Sequence, residues 1–393
     1  MGTSSPDLFL SFDRSRPRGL RVQIEEGLRD AIRSGRLSPG TVVPSTRTLA
    51  ADLAVTRRVV VEAYDQLIAE GYLLTRQGAG TVVNYAPRTR AAAHGSPTAG
   101  APDVEIDFRP GRPDLDLFPR TAWARATRTA LQRLPNSDLA YDDPRGLPAL
   151  RGALADYLGR VRGVNADPEQ IVVCAAFAHG FDLLLNVLSA RGYDRFAVEN
   201  PGYAGPRLRL ASRGIRYEGV RVDADGLVVN DLRRTAARVV HVTPAHQSPT
   251  GVVLSADRRH DLAEWAHEVD GYIIEDDYDA EYRYDRRPVG ALQGIAADRV
   301  IYCGTTSKCL SSGVRIGWLV VPPEFVEPIV ALRHLTDGAT STILQATFAE
   351  FLACGDFDRH LRHTRRIYRD RRDAVIAAVR SVQIGRASCR ERV

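Results

Sequence analysis

Apolar positions recur every four residues at Leu20, Ile24, Leu28 and Ile32, and Gly35 follows; this predicts an amphipathic helix with a glycine stop. Pro39-Gly40 marks a turn. Ser45 then stands where its hydroxyl can cap a short helix, STRTLAADLAV, and Thr56 where it can cap the next, TRRVVVEAYDQLIAEGYL. Two short helices joined by a few turn residues make a helix-turn-helix. In that motif the second helix presents its first residues to base edges, here Thr56, Arg57 and Arg58. The first helix begins beside the backbone with Thr46 and Arg47. GYLLTRQGAGTVVNY alternates like a two-stranded hairpin, with Gly78 and Gly80 at the turn. Its tip, Arg76 and Gln77, suits contact with phosphate or the minor groove. A small dimerisation module with solvated arginines would show the same spacing.

The pattern changes at residues 86–103, APRTRAAAHGSPTAGAPD, which have no apolar period and read as a linker between modules at 1–85 and 104–355. Beyond it, β-branched apolar runs (QIVVCAA, RFAVEN, VVHVTP, YIIEDD, VIYCGT, GWLVVP) alternate with helical stretches such as GFDLLLNVLSARG. That alternation predicts an α/β domain around a mostly parallel sheet. Ligands of such sheets bind at the carboxyl ends of the strands, so the polar residues ending these runs are the candidates.

Composition adds four constraints. Hydrophobic content of 44% with 26% charged residues fits a soluble globular chain, and no apolar run reaches about 18 residues, so a cytoplasmic protein is expected. Five cysteines, without CxxC pairing, favour a reducing compartment and no zinc ribbon. A net charge of +5 permits nucleic-acid binding without establishing it. Of the 53 Lys and Arg, one alone is a lysine, Lys308, so any chemistry needing a side-chain primary amine has a single candidate.

Lys308 ends a strand-like run after Thr305, Thr306 and Ser307, with Arg315 seven residues on. A lysine among small hydroxyls, with an arginine near, suits a Schiff base beside a phosphate site. GYIIEDDYD carries Glu275, Asp276, Asp277 and Tyr278 at another strand end. A carboxylate there could bind Mg²⁺, pair with arginine, or hold a protonated ring nitrogen. AVENPGYAGPRL places Tyr203 on a Pro-Gly turn, and VVHVTPAHQSPTGVVLS closes a turn at Pro249-Thr250-Gly251.

Taken in this order, the segments resemble the fold-type I aminotransferases, which use pyridoxal 5′-phosphate (PLP). The resemblance implies that Lys308 forms a Schiff base with PLP and that Asp276 pairs with the ring nitrogen. It implies that Tyr278 bonds the ring 3-oxygen and that Tyr203 stacks on the ring. Arg315 with Thr305 or Ser307 would hold the phosphate, helped by a helix N-terminus at Phe177 and Ala178. No metal is implied. The run from residue 28 to 83 similarly resembles the winged helix of GntR-type regulators, whose DNA-contacting positions fall on Arg47, Arg57, Arg58 and the Gly78–Thr81 wing; with the motif reading, Ser45, Thr46, Arg47, Thr56, Arg57, Arg58, Arg76, Gly78, Gly80 and Thr81 are expected toward double-stranded DNA. Both modules together, over roughly residues 18–380, resemble the MocR-type regulators. That layout implies a head-to-tail homodimer and a PLP or amino-compound effector that modulates operator binding. A working aminotransferase, and a repressor whose large domain only dimerises, are the alternatives.

Three departures bear on these expectations. Ala176 and His179 stand where the family carries Gly and Gln in the phosphate segment, which should weaken cofactor binding. Ser248 replaces the asparagine that precedes Pro-Thr-Gly in aminotransferases, which lowers the expected efficiency of transamination. The helical pattern from 356 to 382 reads as the start of a truncated C-terminal domain, without the family's carboxylate-gripping arginine. Residues 384–393, IGRASCRERV, back-translate to a common sequencing-adapter run, so 383–393 are expected to be adapter-derived.

Overall fold

The computed structural model describes residues 19–76, 80–84, 111–140, 143–282, 284 and 289–381. The expected linker, Gln77, Gly78 and residues 383–393 lie outside them. The chain divides into two compact units, Met1–Ile106 and Asp107–Val393.

The first unit contains α1 (Leu20–Arg33), α2 (Thr46–Asp52), α3 (Arg57–Ala69), β1 (Leu73–Arg76) and β2 (Gly80–Val83). The four-residue period of α1 turns Ile24, Leu28 and Ile32 into a core with Leu49, Val60, Tyr64, Leu67 and Val83. Ser45 caps α2 as expected, its hydroxyl accepting the Thr48 N–H at 3.1 Å. Thr56 occupies the N-cap position of α3 but its side chain makes no capping bond, which corrects that part of the reading. The hairpin pairs Leu73 with Val83 and Arg76 with Gly80. Gly80 holds φ +82°, a left-handed value that glycine adopts without strain.

The second unit runs α4 (Arg120–Arg133), α5 (Pro148–Arg162), β3 (Ile171–Cys174), α6 (Ala176–Ala190), β4 (Arg195–Asn200), α7 (Ala204–Ser212), β5 (Arg216–Asp223), β6 (Gly226–Leu227) and α8 (Val229–Leu232). It continues with β7 (Val239–Val242), α9 (Ala256–Glu268), β8 (Tyr272–Asp277), β9 (Val300–Thr305), β10 (Gly317–Val320), α10 (Pro323–Leu335), α11 (Thr342–Ala353) and α12 (Asp356–Ser381). The eight strands form one sheet, ordered β3-β10-β9-β8-β7-β4-β5-β6. β9, β8, β7, β4 and β5 are parallel; β10 is antiparallel to both its neighbours.

Side chains alternate across the strands. Phe196, Ile274 and Leu319 pack on one face with Phe181 and Leu184 of α6 and Phe325 of α10. Ile273 and Val300 face the other side with Leu262 and Trp265 of α9. Val173, Trp318 and Tyr302 meet α5 and α11, where the first half of α12 joins through Phe357, Leu361 and Tyr368. Among the described residues no helix is long and apolar enough to cross a membrane.

Candidate functional site

Strand direction gathers the candidates. β3 and β9 both run opposite to β10, so the carboxyl ends of β3, β4, β7, β8 and β9 share one edge of the sheet with the start of β10. Along that edge lie the start of α6, Arg315, Thr305–Lys308, Asp276–Tyr278, Thr243–Ser248 and Glu199–Tyr203.

Lys308 is half-buried, and its Nζ donates to the Gly111 carbonyl at 2.7 Å. Gly111 has φ +75°, and a Cβ there would stand 2.6 Å from Nζ, so a side chain would displace the amine. Burial pushes the Lys308 ammonium below its ordinary range, against the opposing pull of Asp276 and Asp279. A more readily deprotonated lysine is a better nucleophile.

Alternation along β8 sends its three acids to different surroundings. Glu275 is fully buried, accepting the Leu292 and Gln293 N–H groups at 2.8 and 2.9 Å. Asp277 is buried on Arg162 Nε and the Tyr302 hydroxyl, each at 2.7 Å. Asp276 points the opposite way, and Lys308 is among the charges that act on it. Burial pushes its carboxyl up, opposed by His241. His241 Nε2 stands 3.4 Å from Asp276 Oδ2, is itself buried, and has no hydrogen-bond partner among the described residues. The ring packs between Phe177 and Phe181, with centroids at 5.7 and 5.8 Å. Sequence reasoning passed over His241; the signal was a polar residue inside the apolar run VVHVTP.

Tyr278 is mostly buried, which pushes its phenol up, and its hydroxyl donates to the His246 carbonyl at 3.0 Å. His246 Nδ1 lies 2.7 Å from Asp279. Glu199, also buried, accepts from the Thr243 hydroxyl at 2.6 Å and from Gln247 Nε2 at 3.1 Å. Gln247 Oε1 in turn receives the Thr250 N–H and hydroxyl at 2.9 and 2.6 Å, which shapes the expected Pro-Thr-Gly turn.

The phosphate candidates meet at the β3–β10–β9 end. Thr305 donates to Ser307 Oγ at 2.9 Å. Gly317 pairs with both Thr305 and Cys174; a Cβ on it would lie 2.7 Å from Ala176 Cα, so its bare backbone lets the start of α6 press against β10. The N-cap residue Ala175 has no side chain that could cap α6, and the first-turn N–H groups of Phe177 and Ala178 have no intrahelical partners. Arg315, exposed with φ +55°, precedes β10 at the same edge. Tyr203 is at the edge but 51% exposed, its ring folded over Gly205, with no ring partner among the described residues.

In the first unit, Arg47, Thr56, Arg57, Arg58 and Arg76 are exposed. Arg57 Nε reaches the Thr46 hydroxyl at 3.4 Å, joining the starts of α2 and α3, and Arg58 pairs with Glu62 at 2.8 Å. Thr81, half-buried, lies on β2.

A unit with this sheet and edge is of the aminotransferase class: residues 105–389 match the aminotransferase class I and II family, and residues 20–83 match the bacterial regulatory proteins of the gntR family. The chain is 37% identical over 392 residues to the probable rhizopine catabolism regulatory protein MocR of Rhizobium meliloti, covering 94% of this chain and 79% of that one. It is 36% identical to the pyridoxine biosynthesis transcriptional regulator PdxR of Corynebacterium glutamicum, covering 94% and 81%. The Pyrococcus horikoshii kynurenine aminotransferase, solved with PMP, superposes with TM-score 0.62 at 28% identity over 69% of each chain. The chain therefore belongs to the MocR-type transcription regulators, in which a GntR winged helix is fused to an aminotransferase class I and II domain.

Proposed function

We propose that the large unit holds PLP at Lys308 and that its occupancy, by PLP alone or by PLP with an amino compound, sets how firmly paired winged helices hold operator DNA. The observation that carries this reading is the position of the chain's single lysine. It is half-buried at the edge that gathers the other candidates, on Gly111, with a buried carboxylate among the charges around it.

The residues fit the group. Asp276, whose neighbour His241 stands 3.4 Å away and makes no hydrogen bond through its buried Nε2 among the described residues, offers an acceptor for a ring N–H. Arginine could not replace Lys308, because its guanidinium stays protonated. Thr305, Ser307, Arg315 and the bare start of α6 are donors for a phosphate. Tyr278 offers a hydroxyl at the ring edge. Bound PLP supplies an electrophilic aldehyde that captures primary amines. The protein's part is to hold that aldehyde, to exclude water from Lys308, and to keep the amine able to lose its proton.

The first unit supplies the output. Exposed Arg47, Arg57, Arg58 and Arg76 meet DNA, with the start of α3 in the major groove. Operator affinity measured with PLP, and with PLP plus candidate amines, tests the coupling. It should shift in the wild type and stay fixed in Lys308→Met. An identical response from both proteins would overturn the reading.

A further inference from the structure

The turn that opens α6 departs from the family pattern at Ala176 and His179, and the structure joins the two. Ala176 holds φ +70°, a left-handed value that glycine adopts freely and alanine does not. The turn cannot relax toward β10, because Gly317 backbone already packs against it. His179, on the first turn, has its Nδ1 3.1 Å from the Ala175 N–H and accepts from it. Accepting there places the ring's own proton on Nε2. That nitrogen faces Asp337 Oδ2 at 3.6 Å. Asp337 is held by Arg333 at 2.8 and 3.2 Å, and Arg333, fully buried, donates to the Pro144 and Val173 carbonyls at 2.6 and 2.5 Å. A continuous polar chain thus ties the residue before α6 to the end of α10 and back to β3.

The charges around the imidazole are Asp337 and Arg333 from the α10 side, Asp182 from α6, and Arg315 from the segment before β10. Burial is the largest influence and pushes His179 below its ordinary range, so the neutral ring that can accept is the resident form at neutral pH.

We infer that His179 is a positioning residue: it holds Ala176 in its left-handed turn and so keeps the Phe177 and Ala178 N–H groups aimed at a bound phosphate. Beside this turn Phe177 packs on His241, whose buried Nε2 has no hydrogen-bond partner among the described residues, and Arg315, from the segment before β10, acts on His179. The two departures are therefore a matched pair: the strain of alanine at 176 is held by the histidine at 179. The inference rests on the PLP reading, and it predicts an effect specific to the phosphate.

Dissociation constants for PLP and for pyridoxal, which lacks the phosphate, are measured by equilibrium dialysis on the full chain. His179→Leu should weaken PLP about tenfold, the equivalent of one hydrogen bond of about 1.4 kcal/mol. Pyridoxal should change by less than about twofold, which a general loss of structure would not permit. His179→Gln, whose side-chain oxygen can accept the same N–H, should recover PLP binding to within about threefold. Ala176→Gly should make His179→Leu tolerated, because glycine needs no clamp at that φ. This double variant also serves if His179→Leu alone does not fold. Equal losses for PLP and pyridoxal, or a double variant no better than His179→Leu, would overturn the inference. A wild type that binds no PLP would refute the cofactor reading itself, before any variant is made.

Discussion

Asp277 tests whether the reverse face of β8 holds the site in place. Its carboxylate is 2% exposed and accepts from Arg162 Nε and the Tyr302 hydroxyl, each at 2.7 Å. Arg162 is equally buried, and its other described bond is to the Val289 carbonyl at 2.7 Å. Burial disfavours the guanidinium charge, and Asp277 is the main group that opposes that penalty. Asp277→Ala leaves a buried cation without its partner, which costs about 3–5 kcal/mol. At roughly 2 °C per kcal/mol for a domain of this size, the melting transition should fall by roughly 6–10 °C. Replacing the pair together, Arg162→Met with Asp277→Leu, removes both charges and should return stability to within about 1 kcal/mol of wild type. Thermal and urea unfolding of the three proteins, monitored by circular dichroism, gives the comparison. PLP content should fall with Asp277→Ala, since Asp276 and Tyr278 flank the lost anchor. A loss below about 1 kcal/mol, or a double variant as weak as the single, would refute the reasoning.

Gly317→Ala drives a methyl against Ala176 Cα at 2.7 Å and the Gly304 carbonyl at 2.9 Å, both backbone atoms, so it should cost about 1–3 kcal/mol and weaken PLP binding measured by dialysis. Gly180→Ala, which meets the side chains of Leu319 and Cys174, should cost less in the same unfolding assay. Burial pushes the Glu275 carboxyl up to about 7 from 4.5. The folded state therefore binds the proton more tightly than the unfolded state, and stability from this group is lost as pH rises from about 4.5 to about 7. Glu275→Gln should gain on wild type over that window in urea titrations, and a constant difference would contradict it. Arg47→Ala should weaken binding to all DNA sequences alike and lower the salt dependence by about one charge, read from affinities at several salt concentrations. Arg57→Ala should instead cost about 1–3 kcal/mol on the operator and less on unrelated DNA.

How much of this was legible in the sequence varies by element. The period of Leu20, Ile24, Leu28 and Ile32 gave α1, and all six apolar runs named in the large domain became strands, because burial on both faces leaves a continuous apolar signature. β5 was missed: Arg216–Asp223 is largely exposed and carries four charged residues, so it has no such signature. Lys308, Thr305, Asp276 and Arg315 could be nominated because strands ending at one edge collect the polar residues that follow them. His241 could not be ranked, since its importance comes from Asp276 on the neighbouring strand and from Phe177 on α6. The choice of Asp276 over Glu275 and Asp277 came from resemblance; its physical basis is the alternation along β8 with the Arg162 and Leu292–Gln293 partners on the far side. Thr56 shows the reverse case, a residue in the right place whose hydroxyl does not make the expected cap.

The central claim is that the chain's one lysine carries the cofactor. Borohydride reduction of the PLP-treated full-length protein, followed by peptide mass spectrometry, tests it directly, because reduction fixes a pyridoxyl group on whichever amine was bonded to the aldehyde. A single modified peptide is expected, the one containing Lys308, and it should be lost in Lys308→Met. Modification confined to the N-terminal amine, or none at all, would contradict it.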